Sequence, residues 1–369
     1  MTLERGIAVL SNVMIAALPT FPGAYVAPLA LLAWAGLAAA LCASWPQLRK
    51  VLATDRQPGW VLPVLAGMTL VALAVRLLFC HGLPMVNSYG GLTRVVDAYA
   101  IASLDWSAQF QSNYPLGITS LAGAIMVVAG KEPGVYFSLV SVLSALLVPA
   151  IYLAARLLWG RSREALVAAA AAAIYPPMLA FSGSACLTVP YATLGTLSIA
   201  LLLLWLRTAS LATFCAFGFA LLLTLQTRPE AVIFVVPVLA APLLVRRLSL
   251  KELLSPAVLC AAALLLLLGV PFLVAQYGHF WAGSSGEGEP GWLAAFKWLC
   301  RGGLAAAALY WWGSKQEKKG QTPRFTAAGV LILLLFLILE YHHGLHVLAG
   351  GGYPFRGISQ TDTYAPVQI

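Results

Sequence analysis

Residues 135–181 read VYFSLVSVLSALLVPAIYLAARLLWGRSREALVAAAAAAIYPPMLAF. Two apolar runs, 135–159 and 165–181, flank a short turn carrying Arg156, Arg161 and Arg163. A run of about 20 apolar residues spans the hydrocarbon core of a bilayer, and a short basic turn between two such runs marks the cytoplasmic side. The rest of the chain repeats this pattern. Of its 369 residues, 61% are hydrophobic and 9% charged, with a mean hydropathy of +0.87. A water-soluble domain must clothe its surface in charge, and 22 basic plus 13 acidic side chains are too few and too clustered for that. The formal net charge of +9 does not point to nucleic acid, because the basic residues sit in short clusters between apolar runs, as topology signals do.

The fold class expected is all-α: a polytopic transmembrane bundle of about ten to eleven spanning helices. The runs are 6–20, 24–45, 60–80, 135–159, 165–181, 191–206, 211–225, 231–245, 254–276, 292–312 and 325–341. Segment 115–130 is apolar but only about sixteen residues, short for a bilayer of roughly 30 Å at 1.5 Å per residue, and reads as a re-entrant or juxtamembrane helix. Residues 81–114 are too polar for lipid and form the largest external loop. Fifteen of the 22 basic residues then fall on the cytoplasmic side: Arg5; Arg49, Lys50 and Arg56; Arg156, Arg161 and Arg163; Arg207; Arg246, Arg247 and Lys251; Lys315, Lys318, Lys319 and Arg324. The organisation expected is an N-terminal helical hairpin with its cytoplasmic loop (1–58), a membrane core (59–247) with the external loop 81–114, C-terminal membrane helices (248–345) and a polar tail (346–369).

The six cysteines are scattered, with no metal-ligand spacing. Only Cys80 and Cys186 fall near the external face, where a disulfide is an option. Residues 1–20 lack a cleavage site followed by a polar mature region, so the N-terminus stays attached. The sequence EYHHGLH at 340–346 places His342 and His346 at metal-ligand spacing, but His and Tyr at the exit of a membrane helix read as interfacial residues. No metal site or cofactor is inferred, and the requirement for a divalent metal stays open. Gly-rich signatures for soluble nucleotides are missing.

The chemistry-bearing stretch is GLTRVVDAYAIASLDWSAQFQSNYPLG at 91–117. It resembles the first external loop of the GT-C superfamily of membrane glycosyltransferases, which includes the protein O-mannosyltransferases and the aminoarabinose transferase of lipid A. There a carboxylate just after the first core helix precedes a Tyr, a small residue and a YPPLG-like turn. Two further stretches fit the resemblance: AARLLWGRSREALVAAAAAAIYPPMLAFSGSA at 154–185, with its basic turn and Pro-terminated helix, and the helix–TRPE–helix unit LLLTLQTRPEAVIFVVPVLAAPLLVRR at 221–247. Together they cover about half the chain.

The resemblance implies an inverting transfer of sugar from a polyprenyl-phosphate-linked donor to a lipid, glycan or protein acceptor, at the external face of a bacterial inner membrane, in glycan biosynthesis. Asp97 takes the part of the catalytic base. Independently of any family, such a transfer needs a base for the acceptor hydroxyl beside a donor whose tail stays in lipid. The alternative reading of Asp97 is a solvated loop carboxylate or local cap. Asp105, two helical turns on, shares a helix face with it or is simply solvated. Arg228 and Glu230 lie between apolar helices, where ionisable groups are costly. They contact and orient the donor phosphate, or form a structural ion pair. Arg94 is a second candidate for the phosphate, or a solvated loop arginine. Tyr99 and Tyr114 stack on the sugar or anchor at the interface, and Arg76 snorkels.

The sequence departs from the family in three ways. Ala98 follows Asp97 where many members carry Glu. The loop SGSACLTVPY at 182–191 has Thr188 but no carboxylate. One helix follows Arg324 where members run on, so the chain reads as a truncated or divergent member. The runner-up function is a lipid or solute flippase, a permease or a non-catalytic assembly subunit, with Arg228 and Glu230 lining a pathway.

Overall fold

The computed structural model describes residues 23–54, 58–82, 89–104, 115–228, 231 and 255–281. Among them every regular element is helical and none is a strand: α1 (Gly23–Thr54), α2 (Val61–Gly82), α3 (Tyr89–Ala102), α4 (Gly117–Ala129), α5 (Pro133–Trp159), α6 (Ser162–Ile174), α7 (Pro176–Ala180), α8 (Thr188–Thr208), α9 (Leu211–Leu225) and α10 (Pro256–Trp281). The expected runs 6–20, 292–312 and 325–341, all of 231–245 except Ala231, and the histidines at 342–346 lie outside the described residues.

Among the described residues four helices are long and apolar enough to cross a membrane: 26–52 within α1, 61–78 within α2, α5 and α8. The described part is thus a helical membrane bundle. Its lipid-compatible surface is plain on α2, where Leu62, Val64, Leu70, Val71, Val75 and Leu78 are all exposed. In water such a stripe would be an aggregation site; against acyl chains it costs nothing.

At the centre stands α5, packed by α8, α2 and α6, with α9 joining α8 to α1 and α10. The α8–α9 hairpin turns at Ala209, whose left-handed backbone (φ 50°) closes α8. Its seam is held by Trp205 against Phe214 at 4.8 Å between ring centroids. Polar side chains inside the bundle satisfy themselves on neighbouring backbones, as lipid demands: Thr193 donates to the Leu143 carbonyl (2.9 Å) and Ser141 to that of Ser182 (3.0 Å).

Four expectations are corrected. First, α1 does not stop near residue 45 but runs through Pro46 to Thr54, so Arg49 and Lys50 ride on a helix end rather than a loop. Second, the apolar run 165–181 is not one helix. Tyr175 precedes Pro176, whose ring forces it into an extended backbone (ψ 113°) and ends α6 after thirteen residues, about 20 Å. Third, residues 89–102 of the expected loop are the helix α3, because Val95, Ala98, Ile101 and Ala102 share a buried face that α4 covers. Fourth, Cys80 and Cys186 are both buried free thiols.

Arg76 supplies a fifth correction. It does not snorkel; it is fully buried (0% exposed). Its Nε donates to Ser144 Oγ (2.7 Å), and its two terminal nitrogens donate to the carbonyls of Ala173 (3.2 Å) and Ala172 (3.4 Å). Those carbonyls belong to the last turn of α6, where no further turn exists to bond them and the helix dipole is negative. A buried cation is therefore compensated by a helix C-terminus, and α2, α5 and α6 are tied at one point.

Candidate functional site

One end of the bundle gathers three of the stretches singled out in the sequence. From α3 come Arg94 and Asp97, three residues apart and so on one helix face. Both are buried, Arg94 at 8% and Asp97 at 1% exposure, and both interact with neighbouring groups. Arg94 Nη1 donates to the Ala185 carbonyl at 2.6 Å. On α5, the buried Tyr136 hydroxyl lies within electrostatic reach of Arg94, Asp97 and Cys186 and within 3.5 Å of Thr119 Oγ1 on α4.

From the turn after α9 comes Arg228. Its Nη1 donates to Thr188 Oγ1 at 2.9 Å, and its guanidinium stands 5.9 Å from the centroid of the Tyr191 ring. Arg94 and Arg228, separated by more than 130 positions in sequence, thus grip Ala185 in the short loop before α8 and Thr188, the first residue of α8. That loop leads into α8, whose first turn has no side-chain cap from Leu187. Two guanidinium groups at this helix N-terminus, where the Thr188 N–H donates to Cys186 Sγ at 3.4 Å, create a positive corner.

The two turn motifs also meet. Gly117, at the end of the NYPLG stretch, donates its N–H to the Gln226 carbonyl at 2.9 Å, and its own carbonyl accepts from Trp34 Nε1 at 2.9 Å. A Cβ at Gly117 would lie 2.5 Å from the Gln226 oxygen, so no other residue permits this approach. Gly123 does the same for α3 and α4: a Cβ there would stand 2.7 Å from the Ile101 Cβ and 2.9 Å from the Ala98 carbonyl oxygen. The backbone of α3 would have to move. Gly123→Val is therefore expected to displace the Asp97-bearing helix while α5, α8 and α9 stay folded; faster hydrogen exchange confined to α3 and α4 checks it.

Tyr99 is half-buried on α3, and burial together with the nearby Glu132 carboxylate pushes its phenol above the usual range, so it stays a neutral donor at physiological pH. Asp105, Tyr114 and Glu230 lie outside the described residues. Among the described residues no three His, Cys, Asp or Glu side chains gather as a metal-binding set. Neither a protein-family model nor a curated protein matches this sequence.

Tyr136, Thr119, Thr188 and Gln226 are members of this corner that the sequence reading did not assign. Tyr136 and Thr119 carried a weak signal, a hydroxyl near the start of an otherwise apolar run. Thr188 was legible only as the place where a carboxylate was missing, and Gln226 only as a turn residue.

Proposed function

We propose that the protein is an inverting glycosyltransferase of GT-C type that moves a sugar from a polyprenyl-phosphate donor to a hydroxyl of a lipid, glycan or protein acceptor. The supporting observation is the burial of Asp97 beside Arg94, with Arg94 and Arg228 both fixed on residues 185–188 at one end of an apolar bundle. A carboxylate hidden from water beside one buried cation, with a second cation on the same end of the bundle, suits a reaction that makes an anion from a membrane-anchored substrate.

In this reading the Asp97 carboxylate takes the proton of the acceptor hydroxyl, and the acceptor oxygen attacks the anomeric carbon. The bond from that carbon to the phosphate oxygen breaks, and the polyprenyl phosphate leaves as an anion held by Arg228 and Arg94. Tyr99 flanks the sugar; the parts read for Glu230, Tyr114 and Asp105 fall on residues outside those described. The bundle completes ten or eleven crossings of a bacterial inner membrane, with this corner facing the periplasm or exterior.

Reconstitution with a radiolabelled polyprenyl-phosphate hexose tests the reading: label transferred to an acceptor supports it, whereas label that only crosses the bilayer identifies a flippase. Arg228→Leu is expected to weaken donor binding about tenfold to a hundredfold, and Arg228→Lys less, because a lysine keeps the charge but loses the fork. Titration of the detergent-solubilised variants with the donor lipid checks this.

A further inference from the structure

Thr188 and Tyr191 stand three residues apart at the start of α8 and so share a helix face. Both are half-buried, as is Arg228, so part of each can be reached from outside. Arg228 Nη1 donates to the Thr188 hydroxyl at 2.9 Å, and the guanidinium carbon lies over the Tyr191 ring, 5.9 Å from its centroid. The backbone on either side is fixed as well. One turn before Arg228, the hydroxyls of Thr224 and Ser198 meet at 3.2 Å and join α9 to α8, and the Arg228 N–H donates to the Thr224 carbonyl at 3.3 Å. The Thr188 N–H in turn donates to Cys186 Sγ at 3.4 Å.

An arginine side chain is rich in rotamers, and ordering one at the moment of binding costs affinity. For Arg228 that ordering is done within the protein, by one hydroxyl and one ring. Neither group carries charge, so neither neutralises the guanidinium. A hydroxyl that accepts from a cation also turns its own hydrogen away from it, and the polarised O–H suits an anionic acceptor. A carboxylate at position 188 would hold the arginine as firmly but would cancel its charge.

We infer that Thr188 and Tyr191 are positioning residues for Arg228, holding its guanidinium ready for the phosphate of the donor lipid. The assignment rests on the glycosyltransferase reading above and adds to it the two side chains that set the affinity for the charged headgroup. It also gives a physical account of a threonine, and no carboxylate, in the stretch 182–191.

The test titrates the detergent-solubilised full chain with polyprenyl phosphate and with the polyprenol of the same length, following tryptophan fluorescence. The ratio of the two affinities isolates the phosphate. Thr188→Asp is expected to cut that ratio about tenfold or more, because the new acid pairs with Arg228. Its lipid-free unfolding temperature should equal or exceed that of the parent, since an acid suits the first turn of α8. Tyr191→Leu should cut the ratio about threefold to tenfold, and Tyr191→Phe should keep the parental value, because phenylalanine retains the ring beneath the cation. Thr188→Asp decides the matter if Tyr191→Leu does not accumulate. A parental ratio in Thr188→Asp or Tyr191→Leu, an equal loss for both lipids, or a loss in Tyr191→Phe as large as in Tyr191→Leu overturns the positioning role while the functional reading stands. A parent protein that binds the phosphate no better than the alcohol overturns the functional reading and the positioning role with it.

Discussion

Asp97→Asn is expected to lower sugar transfer by about a hundredfold to ten-thousandfold, the range a positioned general base contributes. The substitution keeps the size of the side chain and one carbonyl oxygen, and removes the one thing the reaction needs, a site for the acceptor's proton. Folding should survive it. The amide oxygen of asparagine remains an acceptor, and Arg94 keeps its bond to the Ala185 carbonyl. The variant should therefore reach the membrane in parental amounts and bind the donor lipid, with the loss confined to turnover. Single-turnover transfer of radiolabelled hexose, with donor binding measured in parallel, separates these quantities. Parental turnover in Asp97→Asn would remove the base from the mechanism.

Arg76→Met should destabilise the bundle by about 3 kcal/mol or more without touching the site directly. Methionine matches the apolar stem of the arginine but leaves the carbonyls of Ala172 and Ala173 unpaired in a buried place, each such orphan costing roughly 1–3 kcal/mol. It also unties α2 from α5 at Ser144. Arg76→Lys should recover only part, since one ammonium cannot reach three acceptors arranged for a fork. Unfolding in mixed micelles measures both. A methionine variant as stable as the parent would show that the α6 C-terminus finds other partners and that the arginine is no staple.

These two residues illustrate how differently the sequence speaks about neighbouring features. Asp97 stood out through the resemblance of GLTRVVDAY to a glycosyltransferase loop; read alone it is an ordinary loop carboxylate or cap. That α3 is a helix could have been read from Val95, Ala98, Ile101 and Ala102, but the polar residues surrounding it in 81–114 masked the period. Arg76 was legible only as a charge near the end of an apolar run. Snorkelling and inward capping are equally compatible with that position. Which one holds depends on where α6 stops, and that is set a hundred residues later by the Tyr175–Pro176 junction. Gln226 was less legible still, since a glutamine in a turn is ordinary until its surroundings bury it.

Composition and the spacing of apolar runs were enough to determine that this chain lives as helices in lipid, because hydrocarbon leaves the backbone few ways to satisfy itself. Local chemistry was enough to place the α5–α6 turn and the α8–α9 hairpin, and to single out Arg228 as a charge between apolar runs in need of a reason. Only the tertiary structure decided that Arg94 and Arg228 close on the same loop, that Gly117 meets Gln226, and that Arg76 faces inward. Those are contacts between segments far apart along the chain. They follow from which helix faces interdigitate, and many different sequences with the same hydrophobic pattern would pack those faces differently.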